Sequence, residues 1–325
     1  MKPLDTRELR QAMAQELEKR RLSSAPGDYG YKPGSRESQM YGVVGAVHLH
    51  AQLGLDFGSQ ADRAEWIERI NSFQREDGVF ECVSGPEHGA CAAITSLNLL
   101  GGRPGRPVRG LAPLSVSALE AWLNGLRWDG THKDFCGGVA PVLASGFCDD
   151  DWVAAMRRNV EARLAPERPL ETWCRAGDAP PCVISCIYHV ANGYDAAFIP
   201  YPRPQLLWDR LAGLEYDLNR DQMKRTICTD FDYGWLVERL ACQLPERYAE
   251  GLGWLRRVAA SMAAEWRTDR ANLFARCSTH DLYCYCIGWA VYQRLLPDLF
   301  TGPGLLDTYN APWLFRLPGR EWVAG

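Results

Sequence analysis

Two short clusters carry the residues best suited to chemistry. Asp230-Phe-Asp232-Tyr233-Gly-Trp235 sets two carboxylates two positions apart, and His280-Asp-Leu-Tyr283-Cys284 adds an imidazole and a phenol. Carboxylates two apart on a helix do not share a face. At a helix N-terminus both can still lean toward one opening. Asp230, Asp232 and His280 would then make a three-donor site with an open position. That ligand count suits catalytic zinc, and the N/O donors also admit other divalent ions. Without a metal, the same residues can act as acid and base. Cys228 lies beside Asp230 and offers an extra ligand or a thiol nucleophile.

Other candidates are spread along the chain. His88 follows Gly85-Pro86-Glu87 and starts an apolar segment, and Asp134 stands in the same place before Cys136. Burial would raise the Asp134 pKa and fit it for general acid or base work. Tyr283 joins Asp230, Asp232, His88 and Asp134 as a candidate catalytic group. Tyr41, Tyr233, Trp235 and Arg225 are the candidate substrate contacts, with Lys224 and Lys133 as further cations. Cys182-x-x-x-Cys186 and Cys284-x-Cys286 lack the spacing of structural zinc sites and read as core packing. His48, His50 and His189 lie late or midway on their helices and are left out of the expected site. Cys148-Asp149-Asp150-Asp151 reads as a helix N-cap with acidic complement to the macrodipole.

The elements that position these groups come from a repeat. Trp66, Ile67, Ile70 and Phe73 have helical spacing, Asp77-Gly78 stops the helix, and a second helix runs from His88 to Gly101-Gly102. Helix, polar turn, loop and helix recur about every fifty residues. The expected pairs are 6–21 with 39–53, 118–127 with the segment from 136, 151–164 with 182–191, 204–216 with 230–241, and 248–266 with 280–295. The second helix of each pair is the more apolar and the richer in small residues. Such hairpins must stack to bury their faces. The expected fold is therefore all-α, a single (α/α)6 toroid of about six hairpins over residues 1–325. The starts of the inner helices would converge on one mouth, bringing Tyr41, His88, Asp134, Cys182, Asp230, Asp232, His280 and Asp281 together. The aromatic loop from Ser23 to Ser38 would cover that mouth as a lid.

The segment Trp66-Ile-x-x-Ile-x-Ser-Phe-Gln-x-x-Asp-Gly-Val-Phe80, with His88-x-x-x-Ala and Leu100-Gly-Gly102, resembles a repeat of the terpenoid cyclase and protein prenyltransferase β-subunit superfamily. The clear match covers about one hairpin, with weaker echoes along most of the chain. Prenyltransferase β-subunits hold zinc with an Asp-x-Cys pair, then Tyr and Trp, and a later His in a His-x-x-Tyr-Cys context. Asp230-x-Asp232-Tyr233-Gly-Trp235 and His280-x-x-Tyr283-Cys284 are similar to those parts. Asp232 stands where that family has Cys, and the spacing to His280 is shorter. The Asp-x-Asp-Asp acid of class II cyclases is one carboxylate short in Asp230-x-Asp232-Tyr233. The resemblance implies an α/α toroid and an isoprenoid or other apolar substrate in its cavity. It also implies a divalent metal, zinc foremost, at Asp230, Asp232 and His280.

Composition bounds the partners. The chain has 325 residues, 46% hydrophobic and 23% charged, with a formal net charge of -4, so no basic footprint for nucleic acid is present. No stretch has the apolar length of a membrane span. Residues 1–21 alternate charges without an apolar signal core, so a cytoplasmic chain with reduced thiols is expected. An apolar small molecule is the expected partner. Two other functions stay open: a carbohydrate-active enzyme using Asp134 with Asp230, or His88 or His280 with a tyrosine, and a noncatalytic binding scaffold.

Overall fold

The computed structural model describes residues 2–126, 128, 132–163, 180–223 and 227–324. The helices are α1 (Thr6–Glu18), α2 (Met40–Leu53), α3 (Gln60–Asn71), α4 (Pro86–Leu100), α5 (Val116–Gly125), α6 (Lys133–Ala144) and α7 (Asp150–Arg163). They continue with α8 (Pro180–Asp195), α9 (Pro204–Gly213), α10 (Tyr216–Asn219), α11 (Cys228–Gln243), α12 (Tyr248–Thr268), α13 (Arg270–Arg276) and α14 (Thr279–Leu295). Strand pairing between named elements is a two-residue parallel match of β1 (Leu4–Asp5) with β2 (Phe300–Thr301). The fold class is all-α. No helix among the described residues is long and apolar enough to cross a membrane.

The chain divides into two compact units, one of residues 1–69 with 208–311, the other of residues 70–207 with 312–325. In the first unit, α14 packs against both α2 and α11. All three are buried along almost their whole length. The helices before them, such as α1, bury one stripe and expose the rest. In the second unit, α6 packs against α4 and α8. These three are again the buried ones, while α5 and α7 keep polar outer faces. The expected alternation of exposed and buried helices therefore holds inside each unit.

Small residues explain how buried helices come so close. A β-carbon on Gly45 of α2 would stand 2.9 Å from the Thr279 carbonyl oxygen of α14. A β-carbon on Gly137 of α6 would stand 2.4 Å from the Glu87 carbonyl of α4. Helix ends follow the glycines: Gly54 and Gly101 take left-handed φ of 63° and 74° at the C-caps of α2 and α4.

Two readings change in detail. The segment expected as one helix over 204–216 breaks after Gly213, where Glu215 adopts φ 48° before α10 begins. The break expected around Phe274 contains the short helix α13. The aspartate run behaves as a cap, with Asp149 Oδ1 accepting from the Trp152 N–H at 2.9 Å.

Gly45→Ala should force α2 and α14 apart. The expected loss is about 1–3 kcal/mol by urea unfolding, with the far-UV helical signal kept at zero denaturant. An unchanged midpoint would contradict the close approach.

Candidate functional site

The first turns of α2, α4, α6, α11 and α14 carry Tyr41, His88, Asp134, Asp230 and His280, as their spacing predicts. Cys182 likewise falls in the first turn of α8. Tyr41, Asp230, Asp232, Tyr233, Trp235, His280 and Tyr283 belong to the first unit, His88 and Asp134 to the second. Arg225 and Lys224 lie outside the described residues.

Ser278 caps α14. Its side chain accepts from the Asp281 N–H at 3.0 Å, while Asp281 Oδ2 accepts from the Ser278 N–H at 2.8 Å and the Ser278 hydroxyl at 2.7 Å. The 23–38 loop ties onto the same helix start. The Thr279 N–H donates to the Tyr31 carbonyl at 2.7 Å, and the Thr279 hydroxyl to the Gly30 carbonyl at 2.7 Å. The loop therefore lies beside His280, the next residue.

His280 is held between rings. Tyr41 stacks on it at 4.8 Å and 26°, and Tyr283 meets it edge-on at 4.8 Å and 85°. Tyr283 stacks in turn on His48 at 5.0 Å, and its hydroxyl lies 3.4 Å from that of Tyr309. Cys284 follows one turn after His280, so the two share a helix face, with Sγ 3.7 Å from Nε2. Cys228, first residue of α11, completes the group. One donor atom from each of Cys228, His280 and Cys284 lies within 4.8 Å of both others. Among the described residues this is the set that can hold a metal ion. An ideal tetrahedral zinc site with Zn–S of about 2.3 Å and Zn–N of about 2.0 Å has an S···N edge near 3.5 Å. The observed 3.7 Å fits that edge.

The electrostatics suit the same use. Burial raises the Cys284 pKa, but hydrogen bonding with Cys228 and the nearby His280 outweigh it and bring Cys284 down to about 6. Cys228 is pushed well up, by its bond to Cys284, by burial, and by Asp281 and Asp232. The Cys228 thiol also faces Asp281 Oδ1 at 3.6 Å.

The group that could hold a metal differs from the one read from sequence: it keeps His280 and contains Cys228 and Cys284 in place of Asp230 and Asp232. Asp230 is 1% exposed and fully engaged: Oδ1 accepts from Arg220 Nε at 2.7 Å and the Tyr216 hydroxyl at 2.8 Å, and Oδ2 from Arg220 Nη2 at 2.7 Å. Tyr233 lies on that side too, its ring 5.0 Å from Tyr216. Trp235 is buried under the Arg239 guanidinium at 5.4 Å. Asp232 is buried and reaches the thiol pair through its charge.

Two residues outside the expected site belong here. Cys284 reads from its spacing to Cys286 as core packing, although its i+4 spacing from His280 is a legible signal. His48, set aside for its late helix position, is fully buried against Tyr283 and Tyr309. In the second unit, His88 meets His189 edge-on at 5.9 Å. Asp134, Glu87 and Lys133 line a pocket of about 350 Å³ with Val83, Ser84, Gly85 and Pro86.

No family model, curated protein or solved structure matches the chain.

Two outcomes are expected. Asp230→Asn removes the charged partner that takes two hydrogen bonds from Arg220 but leaves Glu265 and Asp221 on the same guanidinium, and should cost about 1.5–3 kcal/mol by chemical denaturation. A near-neutral result would deny the ion pair its weight. Burial, then the neighbouring His280, lowers the His48 pKa to about 3. The unfolded chain then binds more protons between that value and 6.5, so stability rises with pH across the window. His48→Phe should flatten that part of the stability–pH curve; an unaltered slope would contradict the assignment.

Proposed function

We propose that the chain is a metal-dependent enzyme whose centre is Cys228, His280 and Cys284, with zinc as the ion. The carrying observation is the convergence of two sulfurs and one imidazole nitrogen within 4.8 Å at the starts of two packed helices. Two thiolates and one imidazole are a catalytic zinc donor set when a fourth position stays open. Cys228 and His280 are half-buried, whereas Cys284 is buried, so the open side faces the accessible end of the group. A bound ion there supplies a Lewis acid at that open position.

The surrounding residues have separate tasks. Tyr41 and Tyr283 fix the His280 ring from two directions. The capping box pins one Asp281 oxygen and leaves Oδ1 beside Cys228, where it can hold a proton next to the reacting end. The rings of Phe231, Tyr309 and Tyr283 follow one another in an aromatic wall, which His280 extends to Tyr41. Such a wall supports an apolar small-molecule substrate and carbocation stabilisation, consistent with the isoprenoid chemistry implied by the resemblance above. Transferase or lyase chemistry on such a substrate is the proposed reaction class. The carbohydrate reading, which pairs Asp134 with Asp230, is supported less, because both Asp230 oxygens are committed to Arg220 and Tyr216.

Metal analysis of chain purified without an affinity tag or chelator tests this. About one zinc per chain is expected for the wild type and for Asp232→Ala, with the metal lost in Cys284→Ala and in His280→Ala. Metal retained in both of those variants, or lost only in Asp232→Ala, overturns the proposed centre.

A further inference from the structure

The helix register around the centre sets its two sulfurs against each other. On α11 and α14, Cys228, Phe231 and Gly234 face Cys284, Gly288 and Tyr292 in successive turns. A β-carbon on Gly288 would stand 3.6 Å from the Phe231 Cα, so the two backbones run close one turn below the cysteines. A turn further, a β-carbon on Gly234 would stand 3.1 Å from the Tyr292 ring, and the Tyr292 hydroxyl donates to the Asp230 carbonyl at 3.0 Å. Both helices run from the cysteine end, so this ladder holds Cys228 opposite Cys284. Their donor atoms lie within 4.8 Å. A disulfide needs that gap closed to about 2.05 Å, by rotation of the two side chains at the helix starts.

We propose that Cys228 and Cys284 are a reversible disulfide pair, oxidised by peroxides whenever no metal holds the two sulfurs. The metal half of this statement rests on the centre proposed above. Cys228 is the half-buried residue of the pair and is the one proposed to meet the oxidant, while Cys284 is buried. Cys228 passes its proton to the Cys284 sulfur beside it, and the Cys228 thiolate attacks the peroxide; the O–O bond breaks, and a sulfenic acid forms with release of hydroxide or alkoxide. The Cys284 sulfur then attacks the Cys228 sulfur, its proton going to the departing oxygen as water. Overall one thiol and one thiolate are oxidised to the disulfide, and hydrogen peroxide is reduced to water and hydroxide. A bound ion occupies the lone pairs that both steps need, so occupancy and cross-link exclude one another. Closing the disulfide also removes both thiolate ligands, which makes the centre responsive to oxidants.

The test uses the full chain, stripped with a chelator, freed of reductant and exposed to hydrogen peroxide. Non-reducing digestion and mass spectrometry read the cysteine pairing. A Cys228–Cys284 cross-link is expected, lost again with dithiothreitol, and about tenfold less abundant when zinc is added to saturation before the oxidant. In Cys284→Ser, Cys228 should stop at a sulfenic acid trapped by dimedone. A wild-type chain in which Cys228 proceeds to sulfinic acid, or pairs elsewhere, overturns the proposal; so does a cross-link unaffected by bound zinc. A chain that forms the cross-link but takes up no zinc supports the pair and removes the metal centre. A chain that binds zinc but forms no cross-link after stripping keeps the centre and removes the pair.

Discussion

The contact of Gly45 with Thr279 governs the first unit. Only a hydrogen fits where α2 meets the start of α14, since a β-carbon would sit 2.9 Å from the Thr279 carbonyl. Thr279 is also gripped by the backbone of the 23–38 loop, and Ser278 and Asp281 close the helix end around it. His280 is the next residue, so its direction follows from that fixed start. Cys284 lies one turn further on the same face. Tyr41, on the helix that Gly45 lets approach, then stacks on the imidazole. Ring, sulfur and carboxylate positions thus share one origin in backbone packing.

Helix α11 divides its polar groups between two faces. Residues two apart point about 200° apart around a helix, while those three or four apart share a side. Cys228 and Asp232 therefore look toward the thiol pair, and Asp230 and Tyr233 look toward Tyr216 and Arg220. The buried Arg220 guanidinium is neutralised by Asp230, Glu265 and Asp221, with Asp230 taking two of its hydrogen bonds, because an unpaired charge in the interior is costly. That requirement claims Asp230. It leaves the centre to softer donors, which suits zinc better than magnesium or calcium. The ion pair and the proposed centre are thus two sides of one helix, with different work.

The second unit repeats the architecture with different side chains. Its buried helices α4 and α6 also begin with polar residues, whereas α8 begins Pro180-Pro181-Cys182, and Gly137 permits the same kind of close approach as Gly45. Glu87 and Asp134 line a polar pocket with Lys133 between them in charge. His88 rests against His189 instead of lining that pocket. The repeat preserved the backbone plan and let the chemistry of each helix start vary.

Apolar spacing and glycine punctuation were enough to reveal the helices, their order, and which helix of each pair is buried. Those properties depend on local periodicity and on the burial of one face, and both are written in neighbouring residues. The placement of Tyr41, Asp230 and His280 in first turns was legible for the same reason. The partner of each group was not. Asp230 lies ten residues from Arg220 and on the opposite face of α11 from Cys228, and Cys228 meets Cys284 across another helix. Spacing along one chain cannot show which side of a helix faces which neighbour. The packing angle and depth of α2, α11 and α14 settled that, through the glycines that allow them to touch. Hence, in the proposed centre, two aspartates that read as ligands give way to Cys228, which reads as an extra ligand, and to Cys284, which reads as core.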